Sequence, residues 1–169
     1  MKASIDLRPV RESDIESFRE AVNGVCAERR YVATINGFSL EQTRAFIGHI
    51  IKESLPQIVA IDCEKVIGWC DILPSTVEGF THVGRLGMGV VKPYRGQGIG
   101  RRLLKQCLDA ARTIGIEKVE LEVYSDNLSA IRLYESESFE IEGLRRRARK
   151  LDGEYQDIQL MCLQLTDKD

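Results

Sequence analysis

Histidine is nearly absent from this sequence of 169 residues, with only two, and no Cys-x-x-Cys pair is present. Five cysteines, at positions 26, 63, 70, 107 and 162, are scattered and odd in number, so neither a zinc site nor a disulfide framework is indicated. Embedded mostly in apolar patterns, they read as small buried hydrophobes in a reducing compartment. No apolar run approaches the length of a membrane span, and the N-terminus lacks the apolar stretch of a secretory signal. Both absences predict a cytoplasmic protein with no membrane partner. Basic residues are not in excess either. The 24 Lys and Arg stand against 26 Asp and Glu, a formal net charge of −2, which argues against nucleic acid as the main partner. Repeats, linkers and low-complexity stretches are missing as well, so residues 1–169 are expected to form a single domain with one core.

What the chain does have is glycine in one place. In Tyr94-Arg95-Gly96-Gln97-Gly98-Ile99-Gly100-Arg101-Arg102, three glycines fall within five residues. A strand-like stretch, Leu86 to Val91, precedes them, and an amphipathic helix pattern follows. Glycine lets backbone approach an anion closely, and the first N–H groups of a helix point at it with the helix dipole behind them. Lys92, Arg95, Arg101 and Arg102 add positive charge. A P-loop is excluded because no Lys-Ser/Thr follows the glycines. The dinucleotide fingerprint fails too, because its last glycine position, counted from Gly96, is Arg101. Arg-x-x-Gly-x-Gly, from Arg95 to Gly100, remains.

Hydrophobic periodicity gives the order βααβββαβαββ, a mixed α/β (α+β) chain. Ile5 to Arg8 alternates as a strand; Ser13 is placed to cap a helix carrying Ile15, Phe18, Val22 and Val25. Ser39 and Gln42 form a capping box for a second helix with Phe46, Ile47, Ile50 and Ile51 on one face. Gln57 to Ile61 and Lys65 to Leu73 read as a hairpin, followed by a strand from His82 to Val91. The helix after the glycine loop carries Leu103, Leu104, Cys107, Leu108, Ala111 and Ile114, and Gly115 stops it. Lys118 to Tyr124 alternates cleanly, Asn127 is a cap for a helix through Tyr134, and Phe139 to Arg145 and Tyr155 to Leu165 are paired about Asp152-Gly153.

Three motifs in this order resemble those of the GCN5-related N-acetyltransferase (GNAT) superfamily. They are the Arg95–Gly100 loop, the stretch Leu86-Gly87-Met88-Gly89-Val90-Val91, and Asn127-x-x-Ala130-x-x-x-Tyr134 followed by Phe139. The likeness covers essentially the whole chain and is similar to phosphinothricin-type and ribosomal-protein N-terminal acetyltransferases. It implies a mixed central sheet whose parallel strands 4 and 5 splay apart to admit the pantetheine arm of acetyl-CoA. Met88, Gly89 and Val90 would pair with that arm through the backbone. Arg95, Gly96, Gln97, Gly98, Ile99, Gly100 and Arg101 would form the pyrophosphate loop, and Asn127 would bond the pantetheine or the strand end. One departure is Ser138, where the family usually has glycine.

The implied activity is acetyl transfer from acetyl-CoA to a primary amine, with no metal. An amino acid or analogue is the expected acceptor; protein N-terminal acetylation, or a CoA-binding sensor without chemistry, are the alternatives. A homodimer is expected by the same resemblance. The reaction needs a neutral amine, a stabilised oxyanion and a protonated leaving thiol. Tyr134, whose ordinary acidity is near that of a thiol, suits the general acid. Glu122, five residues before Asn127, aligns with the carboxylate base of enzymes resembling the ribosomal-protein N-terminal acetyltransferases; Asp71 and His82 are rivals, as is water. Glu28 and Tyr31 lie in the loop that forms the acceptor wall in this superfamily. The run Arg145 to Lys150 reads as a solvated strand edge.

Overall fold

A computed structural model describes residues 5–165. They form two compact units, residues 5–73 with 87–114, and residues 74–86 with 115–165. The strand order is β1-β2-β3-β4-β5-β7-β6. Every recorded pairing is antiparallel except β4 with β5.

The first unit holds β1 (Asp6–Pro9), α1 (Ile15–Ala27), α2 (Leu40–Lys52), β2 (Gln57–Asp62), β3 (Lys65–Pro74) and α3 (Ile99–Thr113), with the end of β4 (Val83–Val90). Helix α1 buries Phe18, Ala21 and Val25 at helical spacing, and α2 buries Ile47 and Ile50. These meet Val59 and Trp69 in one cluster, where the Phe18 and Trp69 rings lie edge to face at 5.9 Å. Helix α3 packs against β3, where the Cys107 thiol donates to the Cys70 carbonyl at 3.4 Å.

The two helix starts differ in how they are capped. Ser39 and Gln42 exchange hydrogen bonds at 3.1 and 2.8 Å, the expected capping box. Ser13, by contrast, is not the cap of α1. A 3₁₀ turn at Glu12–Asp14 precedes that helix, and Asp14 organises it by accepting from the Arg11 N–H at 2.8 Å and from both Arg8 terminal nitrogens at 2.7 and 2.8 Å. Burial pushes the Asp14 carboxyl up, but these partners overcome it and leave it below the usual range.

In the second unit, β5 (Lys118–Tyr124) pairs in parallel with the start of β4, from Val83↔Lys118 to Arg85↔Glu120. Strand β5 buries Val119, Leu121 and Val123, and α4 (Leu128–Ser136) adds Ile131 and Tyr134. Helix α4 ends in a left-handed residue, Ser138, at φ +68°. The Phe139 N–H returns to the Tyr134 carbonyl and the Ser138 N–H to that of Glu135, both at 3.0 Å, which is the glycine-type helix stop made with serine. The closing hairpin is longer than the sequence suggests. Strand β6 (Glu140–Leu151) runs through the basic stretch to a turn at Asp152-Gly153, both at positive φ, and β7 (Glu154–Gln164) returns. Because β6 ends the strand order, Arg145 to Lys150 do lie on an edge strand.

Candidate active site

The glycine loop takes its shape from backbone conformation. After a 3₁₀ turn at Lys92–Tyr94, Gly96 and Gly98 stand at φ +74° and +77°, and Ile99 begins α3. A Cβ at either glycine would meet no heavy atom within 4 Å, so left-handed conformation, not crowding, requires glycine there. That leaves open space beside the start of a 15-residue helix whose N-cap has no side chain and whose first turn has no acidic residue. Buried Ile99 anchors the turn, and Gln97 is folded back so that its amide donates to the Pro93 carbonyl at 3.1 Å. Gly100 and Arg101 continue the first turn of α3.

Arg95 is turned into the protein. Its guanidinium donates to Glu28 through two nitrogens at 2.5 and 2.8 Å and through Nε to the Val90 carbonyl at 2.8 Å, and it lies 4.7 Å over the Tyr31 ring. Hydrogen bonding to Arg95 holds the Glu28 carboxyl below its usual range despite burial. Glu28, Tyr31, Val90 and Arg95 are thereby one cluster, tying the loop after α1 to the end of β4.

A second cluster forms above β4. A Cβ at Gly87 would sit 3.2 Å from an Asp71 carboxylate oxygen, and one at Gly89 would sit 2.4 Å from the Trp69 ring. The side chains of Trp69 and Asp71, two apart on β3, therefore lie over two glycines two apart on β4, flanking the Met88 position. They also line a cavity of about 450 Å³ together with side chains of α1 and α2. Burial pushes the Asp71 carboxyl up to about 7. Gln57, opposite it in the β2–β3 register, offsets part of that rise, although its buried amide meets no partner at full hydrogen-bond geometry. The signal was present in the sequence as Trp-x-Asp and Gly-x-Gly, but only the packing shows that one spacing answers the other.

The remaining predicted residues belong to the second unit. Glu122 is ion-paired with Arg85 at 3.5 Å and with Arg145. The Asn127 side chain accepts from the Ala130 N–H at 3.4 Å, the cap expected of it. Tyr134 is buried with its ring 5.7 Å from that of Phe139. His82 is exposed, and its carbonyl accepts from the Glu117 and Lys118 N–H groups at 2.9 and 3.2 Å. Among the described residues, no group of three His, Cys, Asp or Glu is placed to hold a metal. No helix among them is long and apolar enough to cross a membrane.

A parallel β4–β5 pair within this strand order, and a left-handed glycine turn opening the intervening helix, define an α/β fold with an open turn suited to an anion. Residues 14–139 match the Acetyltransferase (GNAT) family, and the chain belongs to it. It is 43% identical over 90 residues to the N-alpha-acetyltransferase RimI of Mycobacterium tuberculosis, covering 47% of this chain and 55% of that one. The match thus spans about half the length of that relative. It is 27% identical over 112 residues to the L-amino acid N-acetyltransferase AaaT of Escherichia coli, covering 66% of this chain and 69% of that one. In fold it is similar to yncA of Salmonella typhimurium, solved with its cofactor acetyl-CoA, at a TM-score of 0.92 and 21% identity, covering 99% and 97% of the two chains.

Proposed function

We propose that this protein transfers the acetyl group of acetyl-CoA to the primary amine of a small molecule, an amino acid or an analogue of one. The observation that carries this reading is the glycine turn, with Gly96 and Gly98 left-handed, open space beside both, and an uncapped helix start beyond. Those features suit a pyrophosphate, which Gly96 to Arg101 would hold through backbone N–H groups and the α3 dipole. The bound thioester supplies an acetyl carbon activated for attack. The Met88–Val90 backbone would receive the pantetheine arm, with Gly89 supplying an oxyanion donor. Asn127 keeps a supporting place at the start of α4, and Tyr134 is the general acid for the leaving thiol. Arg95 acts as a strut, because each of its three guanidinium nitrogens donates to Glu28 or to the Val90 carbonyl.

The small-molecule acceptor is supported by the likeness to AaaT, which extends over more of the chain than the likeness to RimI. A cavity of about 450 Å³ is also the size of a small-ligand site. Acetylation of protein N-termini is the second reading, favoured by the higher identity to RimI. Cytoplasmic location and a homodimer complete the proposal on resemblance to the family.

Gly98→Asp tests it, since a carboxylate would enter the space assigned to pyrophosphate and the left-handed backbone would be strained. Calorimetry on the folded variant should show acetyl-CoA affinity reduced at least 100-fold; undiminished affinity would remove the loop from the cofactor site.

A further inference from the structure

The cavity walled by Trp69 and Asp71 has a composition that narrows the acceptor, given the acetyl-transfer reading above. Phe18 of α1, Phe46 of α2, Trp69 of β3 and half-exposed Phe38 make it aromatic. Two polar wall residues have groups engaged elsewhere: the Thr43 hydroxyl donates to the Ser39 carbonyl at 2.9 Å, and the Gln42 carbonyl accepts from the Ser39 N–H at 2.8 Å. Asp71 is the one ionisable group in the lining, and among the described residues no cation pairs with it. The Trp69 ring lies over Gly89, within the Met88–Val90 stretch assigned to the pantetheine arm, and the Asp71 carboxylate over Gly87 just before it.

We propose that this cavity receives a primary amine carried on an aromatic or large aliphatic skeleton, and that Asp71 is the general base that deprotonates it. An apolar wall selects apolar side chains by the water they shed, roughly fourfold for each methylene buried. A single carboxylate in such a wall attracts an ammonium group and, lacking a permanent counter-ion, is free to take its proton.

The step balances with groups already named. Asp71 takes one proton from the ammonium and later returns it to water. The freed nitrogen pair forms the C–N bond at the thioester carbon as the C–S bond breaks. Sulfur takes up one proton as it leaves and the new amide nitrogen gives one up, so the products are amide, thiol and one released proton. Glu122, held by Arg85 and Arg145, is left as an ion-pair partner.

Trp69 is the only tryptophan in the chain, so its fluorescence reports this cavity without any turnover. Titration with phenylalanine, leucine, methionine and phenethylamine should change its emission saturably; alanine, serine and glutamate should not. Emission should also titrate with a midpoint near pH 7 that Asp71→Asn abolishes, while Glu122→Gln retains it. In thiol-release assays the apolar amines should exceed alanine about 100-fold in kcat/KM. Asp71→Asn should lose 100-fold or more together with the acid limb of its pH profile. Phe38→Ala, at the exposed rim, should raise KM for apolar amines.

Turnover that favours polar amines, or an unaltered Asp71→Asn pH profile with full activity, overturns this inference and leaves the acetyltransferase reading intact. No thiol release with any amine or peptide overturns the acetyltransferase reading and, with it, the assignment of the cavity.

Discussion

Asp71 concentrates the consequences that one residue can have. Its carboxyl is pushed up to about 7 by burial, against an unfolded value of about 3.9. The folded state therefore holds the proton more tightly than the unfolded chain, and ionisation opposes folding. That penalty is absent below about pH 4, grows as pH rises towards 7 and is complete above it. Wild-type protein should lose a few kcal/mol of stability between pH 5 and 8 from this group, at about 1.4 kcal/mol per unit of difference. Asp71→Asn should flatten the pH dependence across that window, as urea midpoints would show. A wild-type midpoint unchanged between pH 5 and 8 would mean that the carboxyl is solvated and ordinary. Tyr134 carries the other residue-scale prediction. If it protonates the leaving thiol, Tyr134→Phe should lower kcat by about 100-fold with little change in acetyl-CoA affinity. Equal activity in the two proteins would reduce its ring to a packing element against Phe139.

Elements impose constraints that no single residue shows. Strand β4 alternates Gly87 and Gly89 because β3 lays Asp71 and Trp69 over them, and those glycines differ in kind from the pair in the loop. A Cβ at Gly89 would meet the Trp69 ring at 2.4 Å, and that ring is fixed against Phe18 and the α1–α2 cluster. At Gly96 a Cβ would meet nothing, and only the left-handed φ opposes it. Gly89→Ala should therefore cost about 1–3 kcal/mol by overpacking and displace Trp69. Gly96→Ala should cost about 1 kcal/mol through backbone conformation alone. Thermal melts together with Trp69 emission separate the two, since only Gly89→Ala should shift the fluorescence. Edge strand β6 shows a different constraint. Its basic run is covered by ring contacts, Arg147 at 3.9 Å over Tyr155 and Arg149 at 4.9 Å over Tyr124, while charge discourages pairing with another strand.

At the scale of the whole molecule, 24 Lys and Arg nearly balance 26 Asp and Glu. The proposed homodimer gives a direct expectation: sedimentation at micromolar concentration should yield twice the 19.1 kDa chain mass. A mass of one chain would remove the dimer and leave the site residues of each copy as argued. Element order was legible because hydrophobic period is a local property: strands at period two and helices at 3.6 need no knowledge of partners. The glycine loop and the Asn127 cap were legible for the same reason, each being a backbone requirement met within a few residues. In the sequence Ser138 is only a departure from the family's glycine, and its left-handed φ of +68° is a finding of the structure. Ser13 misled because a hydroxyl before an apolar stripe is a sound cap signal, and only the Arg8–Asp14 pairing across six residues displaces it. Arg95, Glu122 and Asp71 could not be sorted by pattern. Whether a charged side chain meets pyrophosphate, a guanidinium or an apolar wall depends on residues 67, 23 and 16 positions away: Glu28, Arg145 and Gly87. The sequence by itself determined the period of each element, the left-handed turn before α3 and the family. Only the tertiary structure decided which carboxylate is paired and which stands alone in an apolar cavity, because desolvation and Coulomb energy depend on distance through space rather than along the chain.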